Sequence, residues 1–271
     1  MSSPHAVELV PDDDGRGGVT VVVDGLPQSH VSLDDPQYLA FEYVQHLATV
    51  IDTLPPGPLA VTHVGGAGMT LARWVNAVRP GSPQIVLEPD AALTATVRRA
   101  LPLPRRHRIR VRPQDGRTGV SALADASADV VVLDAYAGGQ VPAELTTVEF
   151  LSDVARVLRP GGTALLNLAD EPGLRYVARV LAGLREAVGE VAVVATHEVL
   201  RGRRFGNLVA VASASSLDVA ALRRAAAGAP LPTGVRDAGQ LGRQWSTVRP
   251  WSVADASPSP PAPSPGRWRR R

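Results

Sequence analysis

"VTHVGGAGMTLARW", residues 61–74, joins an apolar strand-like run to a glycine cluster and then to a helix-like stretch. Gly65, Gly66 and Gly68 fall where a first strand hands over to a first helix, and without Cβ atoms the backbone there can approach a ligand closely. Plain strand-to-helix geometry also accounts for such a turn, so its surroundings decide the reading. Beginning at this turn's own strand, apolar runs of strand length alternate with helical windows: "LAVTHV", "QIVLE", "RIRVR", "DVVVLD", "GTALLNL", "EVAVVAT" and "NLVAVAS". Seven strands with helices between most of them predict an α/β protein, a seven-stranded, mainly parallel sheet with helices on both faces.

Upstream, "GGVTVVVDGLPQSHVSL" reads as two β-branched strands joined by a turn at Asp24, Gly25, Leu26 and Pro27. From Pro36 the spacing becomes helical, with Leu39, Tyr43, Leu47 and Val50 on one face. The predicted organisation is a hairpin and its following helix over residues 1–50, an α/β domain over 51–251, and a disordered tail over 252–271. The tail, "DASPSPPAPSPGRWRRR" at its end, has too little apolar surface to offset chain entropy. Two short strands alone are marginal, so the hairpin's edge predicts a partner copy, a homodimer or higher.

Composition narrows the chemistry. The 271 residues are 45% hydrophobic, enough for a sizeable core, and no window approaches the roughly 18 unbroken apolar residues of a membrane span. The first residues lack the basic and apolar regions of a secretion signal, so a cytoplasmic location and no membrane partner are expected. Cysteine is absent and the six histidines are scattered, which predicts no metal site. All 28 basic residues are arginine, yet the net charge is only +2. The basic runs at 98–112 and 267–271 read as a solvated face and a solubilising tail rather than a nucleic-acid surface.

Acidic residues follow the glycine turn in order. Glu88, twenty residues after Gly68, closes the second strand; Asp115 follows the third and Asp134 the fourth. Glu88 and Asp115 also suit helix N-caps, and Asp134 a solvated turn. Three such residues in order beside a glycine turn favour a ligand crevice at the carboxyl ends of the strands. No GxxxxGK[ST] run is present, and carboxylates suit a nucleoside with a cationic tail better than a nucleoside triphosphate.

The ordered set "HVGGAG", "VLEPD", "QDGR", "DVVVLDAY" and "VARVLRPGGTALLNL", preceded by "DGLPQS" and "FEYVQHL", resembles the spermidine synthase family over about residues 15–215. The resemblance implies aminopropyl transfer on the Rossmann-like class I methyltransferase fold, with an N-terminal β-domain that contributes to subunit contacts. It implies a site for decarboxylated S-adenosylmethionine or a relative, including S-adenosylmethionine itself, as co-substrate, with methylthioadenosine as product. Gly65, Gly66 and Gly68 match the glycine loop, Gln28 the glutamine near sulfur and ribose, and Glu88 the ribose ligand. Asp115 and Gly116 match the pair at the adenine amino group, and Asp134 the aspartate that deprotonates the attacking amine.

On the acceptor side the chain departs from the family. Gly68 stands where the family's loop aspartate holds an ammonium, Ala137 replaces the second aspartate of its DxxD motif, and Val44 replaces a polar residue after Tyr43. A charge-assisted hydrogen bond is worth roughly 1.5–3 kcal/mol, so these losses predict an amine acceptor other than putrescine. Paired aspartates at 68 and 137 are expected to restore some diamine use. Tyr43, Tyr136 and Gln140 are the candidate acceptor-pocket residues, and His63 reads as a satisfied core histidine. Two alternatives are a methyltransferase using intact S-adenosylmethionine, whose carboxylate Gly68 would no longer repel, and a non-catalytic nucleoside-binding or dimerising relative.

Overall fold

In a computed structural model, described for residues 6–13, 17–245 and 247–263, the hairpin forms as β2 (Gly18–Val23) and β3 (Leu26–Ser32). Asp24 and Gly25 both take positive φ at its tip, the left-handed geometry a tight hairpin needs. A third strand, β1 (Val7–Pro11), adds antiparallel to β2. The apolar side of this small sheet is covered within the chain. Val21 and Val31 pack with Met69, Ala72, Val86, Leu93 and Val97, so the lone marginal hairpin assumed above is corrected.

Helix α1 (Glu42–Thr53) buries Leu47, Val50 and Ile51 and leads into the main sheet. There follow β4 (Val61–Val64), α2 (Thr70–Val78), β5 (Gln84–Leu87), α3 (Ala91–Ala100), β6 (Ile109–Arg112), α4 (Gly116–Ser121) and β7 (Ala128–Leu133). Next come α5 (Val148–Val157), β8 (Leu158–Asp170), α6 (Arg175–Ala187), β9 (Glu190–Thr196), α7 (His197–Leu200) and β10 (Gly206–Ser213). The last elements are α8 (Val219–Ala227), β11 (Thr233–Asp237) and α9 (Ala238–Trp245).

All seven strands read from the sequence lie in one sheet of order β11-β9-β10-β8-β7-β4-β5-β6, to which β11 adds an eighth at the edge. β4 pairs parallel with β5 and β7, and the run from β6 to β8 is parallel throughout; β10, β9 and β11 are antiparallel additions. Apolar clusters cover both sheet faces, one against α5 and α6, the other against α1, α2 and α8. The chain winds from β4 outward to β6, then crosses back to β7 on β4's other side. That reversal opens a crevice at the carboxyl ends of β4 and β7. No helix among the described residues is long and apolar enough to cross a membrane.

The C-terminal segment corrects the expectation of disorder for residues 252–263; residues 264–271 lie outside the described residues. Trp251 packs against Tyr176 and lies 3.5 Å beneath the Arg179 guanidinium, which also pairs with Asp255 at 2.5 Å. Farther on, Ser259 is fully buried: its Oγ accepts from Val141 N–H at 2.9 Å, its N–H donates to Val141 O at 3.2 Å, and its carbonyl accepts from Gln140 Nε2. Beyond Trp251, polar contacts rather than apolar bulk hold this segment down.

Candidate active site

The register of β4 and β7 sets Val64 beside Leu133, and Asp134 N–H donates to Val64 O at 2.8 Å. The next residue, Gly65, has φ +87°, and a side chain there would run into the Asp134 backbone, so the turn requires glycine. Above it lies a cavity of about 390 Å³ whose walls include Gln28, Gly65, Gly66, Glu88, Asp115, Gly116, Tyr43, Asp134 and Tyr136. These residues come from β3, α1 and the ends of four parallel strands, as the crevice geometry demands.

Glu88 follows β5, is 9% exposed, and accepts three backbone N–H groups: Gly66 and Ala67 to Oε2 at 3.2 Å each, and Asp90 to Oε1 at 3.0 Å. Burial pushes its pKa up while those donors pull it down. The carboxylate therefore also ties the glycine turn to β5. Asp115 caps α4, its Oδ1 accepting from Thr118 N–H at 2.8 Å, which holds its pKa below the usual range. It serves as an N-cap and a cavity wall at once.

At the other end, half-buried Asp134 accepts from Asn167 Nδ2 at 2.9 Å and from the Tyr43 hydroxyl. Burial pushes its carboxyl up to about 6 against those two hydrogen bonds. The Tyr43 and Tyr136 phenols are pushed well up by burial first and by Asp134 second. Asn207 Nδ2 donates to Tyr136 Oη at 3.1 Å and to Asn167 Oδ1 at 3.0 Å. Sequence reading missed both asparagines, since a single amide within an apolar strand carries no spacing signal. Val44 and Ala137 line this end, leaving it with the apolar positions read from the sequence.

Two candidates lie off the cavity wall. Gly68 does not face the cavity: its N–H donates to Ser29 Oγ at 3.0 Å, its carbonyl accepts from Arg73 Nε at 3.1 Å, and a Cβ there would sit 2.7 Å from Ser29 Cβ. The cause is the hairpin, which packs directly against the turn. Gln140 is likewise absent from the cavity wall, because its side-chain amide is drawn onto the Ser259 carbonyl. His63 is buried, hydrogen-bonded to Gln84 Oε1 at 2.9 Å and pulled down to about 4 by burial, while also touching the cavity floor.

The electrostatics have one sign. Among the described residues, Asp24, Glu88, Asp90, Asp115, Asp134 and Glu144 line the cavity and no arginine does, although every basic residue of the chain is arginine. Such a cleft attracts cations.

No family model matches the chain. A polyamine aminopropyltransferase of Neisseria meningitidis serogroup A is 24% identical over 179 residues, 62% of this chain and 68% of that protein. Among solved structures, a probable spermidine synthase from Corynebacterium glutamicum ATCC 13032 superposes with a TM-score of 0.84 at 32% identity, covering 92% of this chain and 93% of that one. Human methyltransferase-like protein 13, solved with SAH, shares the fold at TM-score 0.56 and 21% identity, over 79% of this chain and 96% of that one. With near-complete coverage at that identity, and a cavity built at the reversal point of a methyltransferase-like sheet, the chain belongs to the spermidine synthase family.

Proposed function

We propose that the protein transfers an aminopropyl group from decarboxylated S-adenosylmethionine to an amine other than putrescine. The observation that carries this reading is the cavity lined by six carboxylates and no arginine. Decarboxylated S-adenosylmethionine brings a sulfonium and an ammonium, both cationic, whereas the intact compound adds a carboxylate with nothing basic to receive it. The glycine turn offers that carboxylate little, since the N–H groups of Gly65, Gly66, Ala67 and Gly68 already bond to Leu87, Glu88 and Ser29. A methyltransferase reading therefore has less support.

In this account Glu88 receives the ribose hydroxyls, Asp115 with Gly116 the adenine amino group, and Gln28 the region of ribose and sulfur. Asp134 takes a proton from the acceptor's ammonium, because only the neutral amine has a lone pair. That lone pair attacks the propyl carbon bound to sulfur. The C–N bond forms as the C–S bond breaks, the bonding electrons pass to sulfur, and neutral methylthioadenosine leaves. Tyr43 and Tyr136 flank the base, and the apolar Val44 and Ala137 leave no second carboxylate at those two positions for a diamine.

The test incubates the full chain with decarboxylated S-adenosylmethionine and a panel of mono-, di- and polyamines, measuring methylthioadenosine. Release is expected with an amine outside putrescine and little or none with putrescine. The base must be ionised, so kcat/KM is expected to fall as pH drops through about 6, the value to which Asp134 is raised. Robust spermidine formation from putrescine would contradict the acceptor reading, and release with no amine at all would contradict the transfer reading.

A further inference from the structure

β8 and β10 run antiparallel beneath the acceptor end, with Asn167 opposite Val209. Asn207, two residues earlier on β10, is thus the diagonal neighbour of Asn167 on the same sheet face. Asn167 is fully buried within the apolar run of β8, where an unpartnered amide would be costly. Both ends of that amide are used. Its Nδ2 donates to Asp134 Oδ1 at 2.9 Å, and its Oδ1 accepts from Asn207 Nδ2 at 3.0 Å. Asn207 Nδ2 also reaches Tyr136 Oη at 3.1 Å, and that hydroxyl donates to the Asn167 backbone carbonyl at 3.5 Å. The direction of the chain is forced. An ionised carboxylate only accepts, so Asn167 must turn its NH₂ toward Asp134; a flipped amide would set oxygen against oxygen there and nitrogen against nitrogen at Asn207.

We propose that Asn167 is a positioning residue that holds Asp134 ionised and oriented toward the acceptor, and that Asn207 locks the Asn167 amide in the donating orientation. The role follows from what the site must do: a base set in the cavity wall is useful only if something stabilises its anion without adding a cation that would repel the incoming ammonium. A neutral amide does that, and an arginine would not. The other groups facing Asp134 are the Tyr43 hydroxyl from α1 and Tyr136 from its own loop. The remaining ionisable groups of the cavity are His63 on β4, Glu88 and Asp90 after β5, Asp115 after β6, Glu144, and Asp24 at the hairpin tip.

The inference rests on Asp134 acting as the base, yet it is tested without any substrate, so its failure is distinguishable from failure of the transfer reading. The measurement is the Asp134 carboxyl titration followed by carbon-13 NMR in the full chain. Near-isosteric Asn167→Leu is expected to move the midpoint upward by about one pH unit, because a hydrogen bond to the charged form is lost. Asn207→Leu is expected to move it the same way by less, and to add nothing in an Asn167→Leu background. Asn167→Ser, which keeps a short donor, should recover part of the change. If Asn167→Leu fails to fold, Asn207→Leu alone carries the test. An Asp134 midpoint unmoved in the folded variants, whatever their melting temperature, would overturn the proposal and leave the asparagines as packing.

Discussion

Gly68 shows that the place of a residue in a turn can be read from sequence while the surroundings of its Cα cannot. Its place in the glycine turn was legible in the sequence, but which way its missing Cβ points depends on a hairpin about forty residues away. Ser29 and Val31 fill that space, 2.7 and 3.0 Å from where the Cβ would be. Gly68→Asp, alone or with Ala137→Asp, is therefore expected to cost roughly 1–3 kcal/mol by overpacking and to leave diamine use unrestored. Thermal denaturation and a putrescine assay check this; a stable double variant making spermidine would contradict it. Glu88 was legible because its position after a strand, twenty residues beyond the glycines, has a recognisable chemistry. In the structure its carboxylate fastens the Gly66 and Ala67 N–H groups. Glu88→Ala should weaken methylthioadenosine binding by at least about tenfold, or 1.4 kcal/mol, in calorimetry. Unchanged affinity would remove Glu88 from the site. Asn167 and Asn207 were illegible, since their meaning lies in a pairing between β8 and β10 that no local pattern announces.

At the scale of elements, the hairpin and seven strands of the main sheet were readable from apolar or alternating runs and turn residues, whereas β1 and β11 were not. β11, "TGVRD", is polar and glycine-containing, and it is held by pairing with β9 at the sheet edge and by Val235 packing against the core. The C-terminal strap was misread for a related reason: low apolar content was taken as disorder, while Ser259, through its backbone and its hydroxyl, finds partners in Val141 and Gln140. Three hydrogen bonds at about 1 kcal/mol each amount to about 3 kcal/mol. For a chain of this size, each kcal/mol is worth roughly 2–4 °C. Deleting residues 256–271 is therefore expected to lower the melting temperature by several degrees and to loosen the loop at 137–142. A deletion variant melting with the full chain would show that the strap contributes nothing.

For the whole molecule, the winding of the sheet gathers residues from distant segments around one acidic cavity. The α/β architecture and the presence of seven sheet strands were legible because a mainly parallel sheet imposes buried apolar runs at regular intervals, whereas the order of those strands in the sheet was not. The homodimer remains a proposal resting on family resemblance alone, since the small sheet's apolar side is already covered by α2, α3 and β5. This cavity is proposed to select a doubly cationic nucleoside and to bind its product, methylthioadenosine. Calorimetry of the full chain with decarboxylated S-adenosylmethionine, methylthioadenosine and S-adenosylmethionine tests it most directly. The first two are expected to bind, and the intact compound at least about tenfold more weakly, a difference of about 1.4 kcal/mol. S-adenosylmethionine binding as tightly as its decarboxylated form, or none of the three binding, would contradict the account.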